Sequence, residues 1–193
     1  MKLPGLLIVA LLSPAPGCQA RRSEPDPTTC IPSTSQLPTT SSAEELAGAY
    51  RLRLVATKGP MSGRTALGAL TLQPYDSALR TLTIAGLRDT AASYVLYGST
   101  DIALDSVGAV SAGKLDSEDP LRPGVVAVER KGALTLRLGS EANRRDVTRF
   151  DGGFTALRVL EATGNGFAGS WTSGLRLERS GGHFCAERMT EGR

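Results

Sequence analysis

Between Gly166 and Arg188 the chain alternates residue by residue with a period of two, in two runs separated by a short turn. Phe167, Gly169 and Trp171 share one side of the first run, opposite Ala168, Ser170 and Thr172, and the second run ends in His183-Phe184-Cys185-Ala186. A period of two sends successive side chains to opposite faces of an extended strand, whereas a helix needs its apolar residues three and four apart. The same stretch holds the only tryptophan, the only histidine and the last cysteine of the chain. Gly169, between Phe167 and Trp171, leaves room for a large ring to lie across the backbone, which is one reason to keep a glycine inside a strand.

The rhythm recurs upstream. Tyr50, Leu52, Leu54 and Ala56 alternate with Arg51, Arg53 and Val55; after a loop from Thr57 to Arg64, Leu70 and Leu72 continue it until Pro74. Leu82 and Ile84 mark a third run. A fourth goes from Tyr94 through Tyr97 to Ile102 and Leu104, with a bend at Gly98. Val125 to Arg130, a turn at Lys131-Gly132, then Leu134, Leu136 and Leu138 form the clearest hairpin, and Phe154 to Glu161 with a turn at Gly164-Asn165-Gly166 leads into the last two runs. Ser42 and Glu45 have capping-box spacing, which predicts one helical turn before the first strand. No long helix is expected. With 22 glycines, 11 prolines and 5% aromatic residues, the composition agrees with an all-β domain. Eight to ten short strands joined by hairpins are most simply arranged as an antiparallel up-and-down β-barrel, which closes its own edges where a sandwich leaves four. The longest irregular piece, Asp105 to Gly124, is a connection of the kind that often carries function.

Ahead of this domain, Met1-Lys2 is followed by an apolar run from Leu3 to Leu12 and by Ser13-Pro14-Ala15-Pro16-Gly17-Cys18, an export signal too short to span a bilayer. Ala15-Pro16-Gly17-Cys18 resembles the lipobox of bacterial lipoproteins, in which the cysteine is diacylated and becomes the new N-terminus. The resemblance implies lipidation of Cys18 and, with Gln19 following it, an outer-membrane anchor facing the periplasm. Ordinary cleavage after Ala20, giving a soluble secreted or periplasmic protein, is the competing route. Residues 1–17 are then a signal peptide, 18–42 a Ser/Thr/Pro-rich tether too poor in apolar residues to offset the entropy of ordering, and 43–193 the barrel domain. Either route removes Cys18 from the thiol count, so Cys185 is the available partner for Cys30 in an oxidising compartment. A Cys30–Cys185 disulfide is expected; it contributes on the order of 4 kcal/mol in the chain-entropy account of a long loop.

Gly48-Ala49-Tyr50 after a helical turn resembles the Gly-x-Trp opening of lipocalins, and Gly169-Ser170-Trp171 resembles the Gly-x-Trp of the wider calycin group that includes avidins. The resemblance implies a cavity for a small hydrophobic ligand lined by Tyr50, Phe167 and Trp171. An internal echo, Leu46 to Leu54 beside Phe167 to Leu177, suggests that Tyr50 and Trp171 meet across the seam of the barrel.

A formal charge of +3 with scattered basic residues argues against nucleic acid as a partner. Nucleophile elbows, phosphate-binding glycine loops and zinc spacings are absent from the sequence. One histidine leaves little for metal binding or acid/base work, so no metal, cofactor or catalytic residue is assigned. His183 and Cys185 share a strand face as a conceivable nucleophilic pair, but lack an orienting acid. Asp116, Glu118 and Asp119 read as a solvated acidic loop. The expected function is a non-enzymatic envelope lipoprotein that binds a small hydrophobic ligand or an envelope protein. Its rivals are a purely structural barrel with a filled core and a carboxylate-based enzyme on the same fold.

Overall fold

Each alternating run becomes a strand, and the strands close into one ring. The computed structural model describes residues 43–75, 93–111, 113–139, 154–175 and 178–189. In chain order they form β1 (Gly48–Lys58), β2 (Thr65–Pro74), β3 (Ser93–Thr100), β4 (Val125–Arg130), β5 (Ala133–Leu138), β6 (Phe154–Thr163), β7 (Gly166–Leu175) and β8 (Glu178–Arg188). Every strand pairs antiparallel with the next and β8 returns to β1, so the fold is a closed eight-stranded up-and-down barrel. Leu82 and Ile84 lie outside the described residues, and β2 pairs directly with β3.

Alternation decides which side chains enter the barrel. Tyr50, Leu52, Leu54 and Ala56 of β1, Leu70 and Leu72 of β2, Leu136 and Leu138 of β5, and Phe167 and Trp171 of β7 belong to one buried cluster. An eight-stranded barrel is just wide enough for such side chains to fill, and burying each large one contributes about 1.5–3 kcal/mol. β4 departs furthest from alternation, since Val125 to Val128 are all buried. Val126 and Val128 face outward into a second cluster with Tyr75 and Tyr94, where the Tyr75 hydroxyl donates to the Pro120 carbonyl at 2.7 Å. At the β4–β5 turn, Lys131 (φ 52°) and Gly132 (φ 75°) both take positive φ, the requirement of a two-residue type I′ hairpin.

The end of the barrel where β1 begins is closed by the expected helical turn, a 3-10 turn at Ala43–Leu46. The Tyr50 hydroxyl donates to the Leu46 carbonyl at 2.9 Å. Arg188, which faces Tyr50 in the β1–β8 register, fastens this cap to the closing strand. Its guanidinium donates to the carbonyls of Ala47 (3.0 Å) and Glu45 (2.8 Å) and to the Tyr50 hydroxyl (2.8 Å), and lies 5.1 Å from the centre of the Tyr50 ring. One charged fork thus satisfies two carbonyls of the cap while covering an aromatic face.

The opposite end is crossed by a strap. The Thr100 hydroxyl donates to the Ala69 carbonyl at 2.6 Å, and the Asp101 carboxylate accepts the Ala69 amide at 2.5 Å. The Asp101 amide still donates to the Ala69 carbonyl at 3.3 Å, but the Asp101 carboxylate takes the Ala69 amide that the second bond of this ladder pair would use. β3 therefore stops at Thr100, and Ile102 and Leu104, which the alternation assigns to a continuing strand, turn into the mouth instead. Leu104–Val107 is a 3-10 turn ended by Gly108 in the left-handed conformation. Leu104, Val107 and Ala109 join the interior cluster. Beyond them the Val110 amide donates to the Ser173 hydroxyl at 3.0 Å, and the Val110 carbonyl accepts from Thr155 at 2.7 Å, fixing the strap to β6 and β7.

Candidate functional site

Tyr50, Phe167 and Trp171 are 0, 3 and 1% exposed. A void able to hold a small molecule would leave accessible area on its walls, and these walls have almost none. The Tyr50 and Phe167 rings meet edge to face at 5.0 Å, and Phe167 meets Phe184 at 6.0 Å, so this part of the interior is filled with aromatic side chains. The Phe184 ring also lies against Gly169, where an added Cβ would come within 2.9 Å of it; the ring expected across this glycine is that of Phe184.

The seam differs from its expected form. β8 stands between Tyr50 and Trp171: Tyr50 faces Arg188 across the seam, and Trp171 faces Gly182. The missing side chain at Gly182 lets the indole pass over β8 and donate its Nε1–H to the Val55 carbonyl of β1 at 3.1 Å. A β-bulge between Ala56 and Lys58 shifts the β1–β8 register at this point. The echo breaks down because a whole strand, β8, follows the tryptophan and supplies the closing edge.

Cys18 and Cys30 lie outside the described residues. Cys185 is on the outer face of β8, half-buried, facing Arg53 of β1 and Ala168 of β7, and it is not a free thiol. His183 shares that face, between Val55 and Ser170. Its Nε2 is buried without a hydrogen-bond partner, and burial, followed by the nearby Arg53 charge, holds the imidazole below its ordinary pKa. A neutral imidazole beside an engaged sulfur is not an activated nucleophile. The hydroxyl of Tyr50 is pushed the other way: burial raises its pKa against the opposing effect of Arg188.

Asp116, Glu118 and Asp119 are exposed. Asp119 accepts the Leu121 amide at 2.9 Å as part of its own turn, and no group of three potential metal ligands is assembled among the described residues.

A cavity lies on the wall of the barrel. It is a cleft of about 750 Å³ at the strap end, formed by the last residues of β1, the first of β6, and Ser170–Gly174 and Arg179–Gly182. Gly174 and Gly181 give it a floor of bare backbone, Phe154 stands on one side, 43% exposed, and Lys58 and Arg179 are exposed on the other. Ser170 and Thr172 add hydroxyls, while Trp171 supplies the strand beneath. This site went unrecognised in the sequence, where Lys58, Phe154 and Arg179 are far apart. The paired glycines Gly181-Gly182 inside a strand were the one available signal.

No protein-family model matches the chain, and no curated protein does. Two solved structures are similar to it. One is EF1p2_mFAP2b bound to DFHBI, with a TM-score of 0.36 and 12% identity, covering 76% of this chain and 96% of that one. The other is a redesigned β-barrel, mFAP1, bound to DFHBI, with a TM-score of 0.34 and 12% identity, covering 76% of this chain and 97% of that one. Likeness at this level carries no argument about a ligand here.

Proposed function

We propose that this protein is a non-enzymatic lipoprotein of the cell envelope, whose barrel binds a small molecule on its outer wall. In this reading Cys18 carries the acyl chains, residues 18–42 are the tether, and a Cys30–Cys185 disulfide ties the tether to β8, holding the domain at the periplasmic face of the outer membrane. The observation that carries the binding role is the cleft of about 750 Å³ between Phe154 and Lys58, within the size range of small-molecule sites. Its described lining offers hydroxyls, backbone and two cations, with no carboxylate, imidazole or thiol among the described residues, which supports binding over acid/base or nucleophilic chemistry. The near-zero exposure of Tyr50, Phe167 and Trp171 favours one alternative, a purely structural barrel. Native mass spectrometry of protein purified from its own envelope separates the two: a co-purifying small molecule lost on filling the cleft with Gly181→Val supports binding, and an empty protein supports the structural role. Acyl labelling of the native protein beside Cys18→Ala tests the anchor, and intact mass before and after reduction and alkylation tests the disulfide.

A further inference from the structure

We infer that the wall cleft is built for an amphipathic anion: a carboxylate, sulfonate or phosphate group held by Lys58 and Arg179, with an apolar body lying over Gly181 and Gly174 towards Phe154. This rests on the binding role proposed above and adds the ligand's charge and orientation.

The register fixes the arrangement. One row across the sheet runs Lys58, Gly181, Thr172, and the neighbouring row runs Arg179, Gly174, Phe154. By the parity of β1, in which Leu54 and Ala56 point inward, Lys58 would enter the barrel. The bulge between Ala56 and Lys58 advances the register by one residue and pairs Lys58 with Gly181, so the lysine is re-aimed to the outer face, where it is exposed. Lys58 and Arg179 are thereby diagonal neighbours on adjacent strands, about 7–8 Å apart, close enough to grip one anionic group. Phe154 stands two strand spacings from Arg179, about 10 Å, roughly the length of a fused-ring or short acyl body. Between them the two glycines leave no side chain in the way. None of the described residues lining the cleft is acidic, so among the described residues the two cations have no counter-charge within it, which is what an anionic ligand would supply.

Two dyes of the same ring system separate charge from shape: 8-anilinonaphthalene-1-sulfonate, and N-phenyl-1-naphthylamine, which lacks the sulfonate. Each is titrated into the ¹⁵N-labelled full chain carrying Cys18→Ala, following the amides of Gly174 and Gly181. The sulfonate dye is expected to shift both amides and to bind at least tenfold more weakly to the Lys58→Gln/Arg179→Gln double variant, whose exposed substitutions leave the core intact; the neutral dye is expected to be insensitive to that change. Equal binding of the two dyes, with no effect of the double variant, overturns the anion inference and leaves the binding role standing. If neither dye moves Gly174 or Gly181, the cleft is not a site and both fail. Sedimentation of the protein with phosphatidylglycerol vesicles in the absence of dye shifts overturns the small-molecule ligand in favour of a membrane surface.

Discussion

Gly182→Ala tests the seam most sharply, because its neighbour provides a control on the same strand. A Cβ on Gly182 would run into the Val55 carbonyl and come within 3.0 Å of the Thr57 amide nitrogen. Both atoms are backbone at the bulge and cannot swing aside. Forcing β1 and β8 apart costs about 1–3 kcal/mol, and losing the indole bond leaves the buried Trp171 Nε1–H without its partner, for about 1–3 kcal/mol more. The reduced freedom of the unfolded chain returns about 0.4–1 kcal/mol, so the net loss is about 3 kcal/mol. For a domain of this size that corresponds to a fall of about 6–12 °C in Tm. At Gly181 an added Cβ meets the Trp171 carbonyl at 3.0 Å and then nothing closer than 3.9 Å, so Gly181→Ala should stay within about 1 kcal/mol of the wild type. Urea unfolding followed by the fluorescence of the single tryptophan measures both, and the native emission of Gly182→Ala should shift to the red as the indole loses its place. Equal midpoints for the two variants, with unchanged emission, would refute this account of Gly182.

Arg188→Met keeps much of the stem but removes the donors to Glu45, Ala47 and Tyr50; a loss of about 2–3 kcal/mol is expected, with faster hydrogen exchange confined to the cap and the start of β1. Lys131→Asn, which suits the positive φ at that position, should stabilise the β4–β5 hairpin by about 0.5–1 kcal/mol, read as a higher urea midpoint with the same slope. His183 has a folded pKa below its ordinary 6.5, so the folded state binds fewer protons than the unfolded one; its contribution is complete above pH 6.5 and is lost as the pH falls through the folded value. Unfolding midpoints at pH 7.5 and 5 should therefore differ more in the wild type than in His183→Gln, and an identical pH dependence would mean that burial of His183 has no consequence for stability.

The alternation made most of the barrel legible: Tyr50 to Ala56, Leu134 to Leu138 and Phe167 to Trp171 point where a period of two sends them, and the Lys131-Gly132 turn carries its own chemistry. Three features were hidden, each for a physical reason. The strap from Ile102 to Val110 has apolar residues at Ile102, Leu104, Val107 and Ala109, a spacing that continues a strand at first and fits no regular element afterwards. What ends β3 is the Asp101 carboxylate, which takes the amide of Ala69, a residue 32 positions away, in place of the backbone carbonyl. The requirement for glycine at 182 arises from a bulge on β1 and from an indole that reaches 116 residues back along the chain. The wall cleft depends on the same bulge, because without it Lys58 would keep inward parity.

On the proposed binding role, the placement of the cleft also separates stability from binding. A barrel whose interior is filled can keep its core fixed while the side chains on its wall change, and Lys58, Arg179, Thr172 and Phe154 all lie outside the buried cluster. Substitutions there should move affinity with little effect on folding, whereas substitutions at Tyr50, Phe167 or Trp171 should do the reverse.

The closed ring is tested most directly by NMR contacts across the β1–β8 seam in the full chain. Backbone NOEs pairing Tyr50 with Arg188, Leu52 with Ala186 and Leu54 with Phe184 are predicted, together with slow amide exchange in both strands. Absence of those contacts, with β1 and β8 exchanging as free edges, would contradict the closed barrel and with it the bulge, the indole bond and the wall cleft.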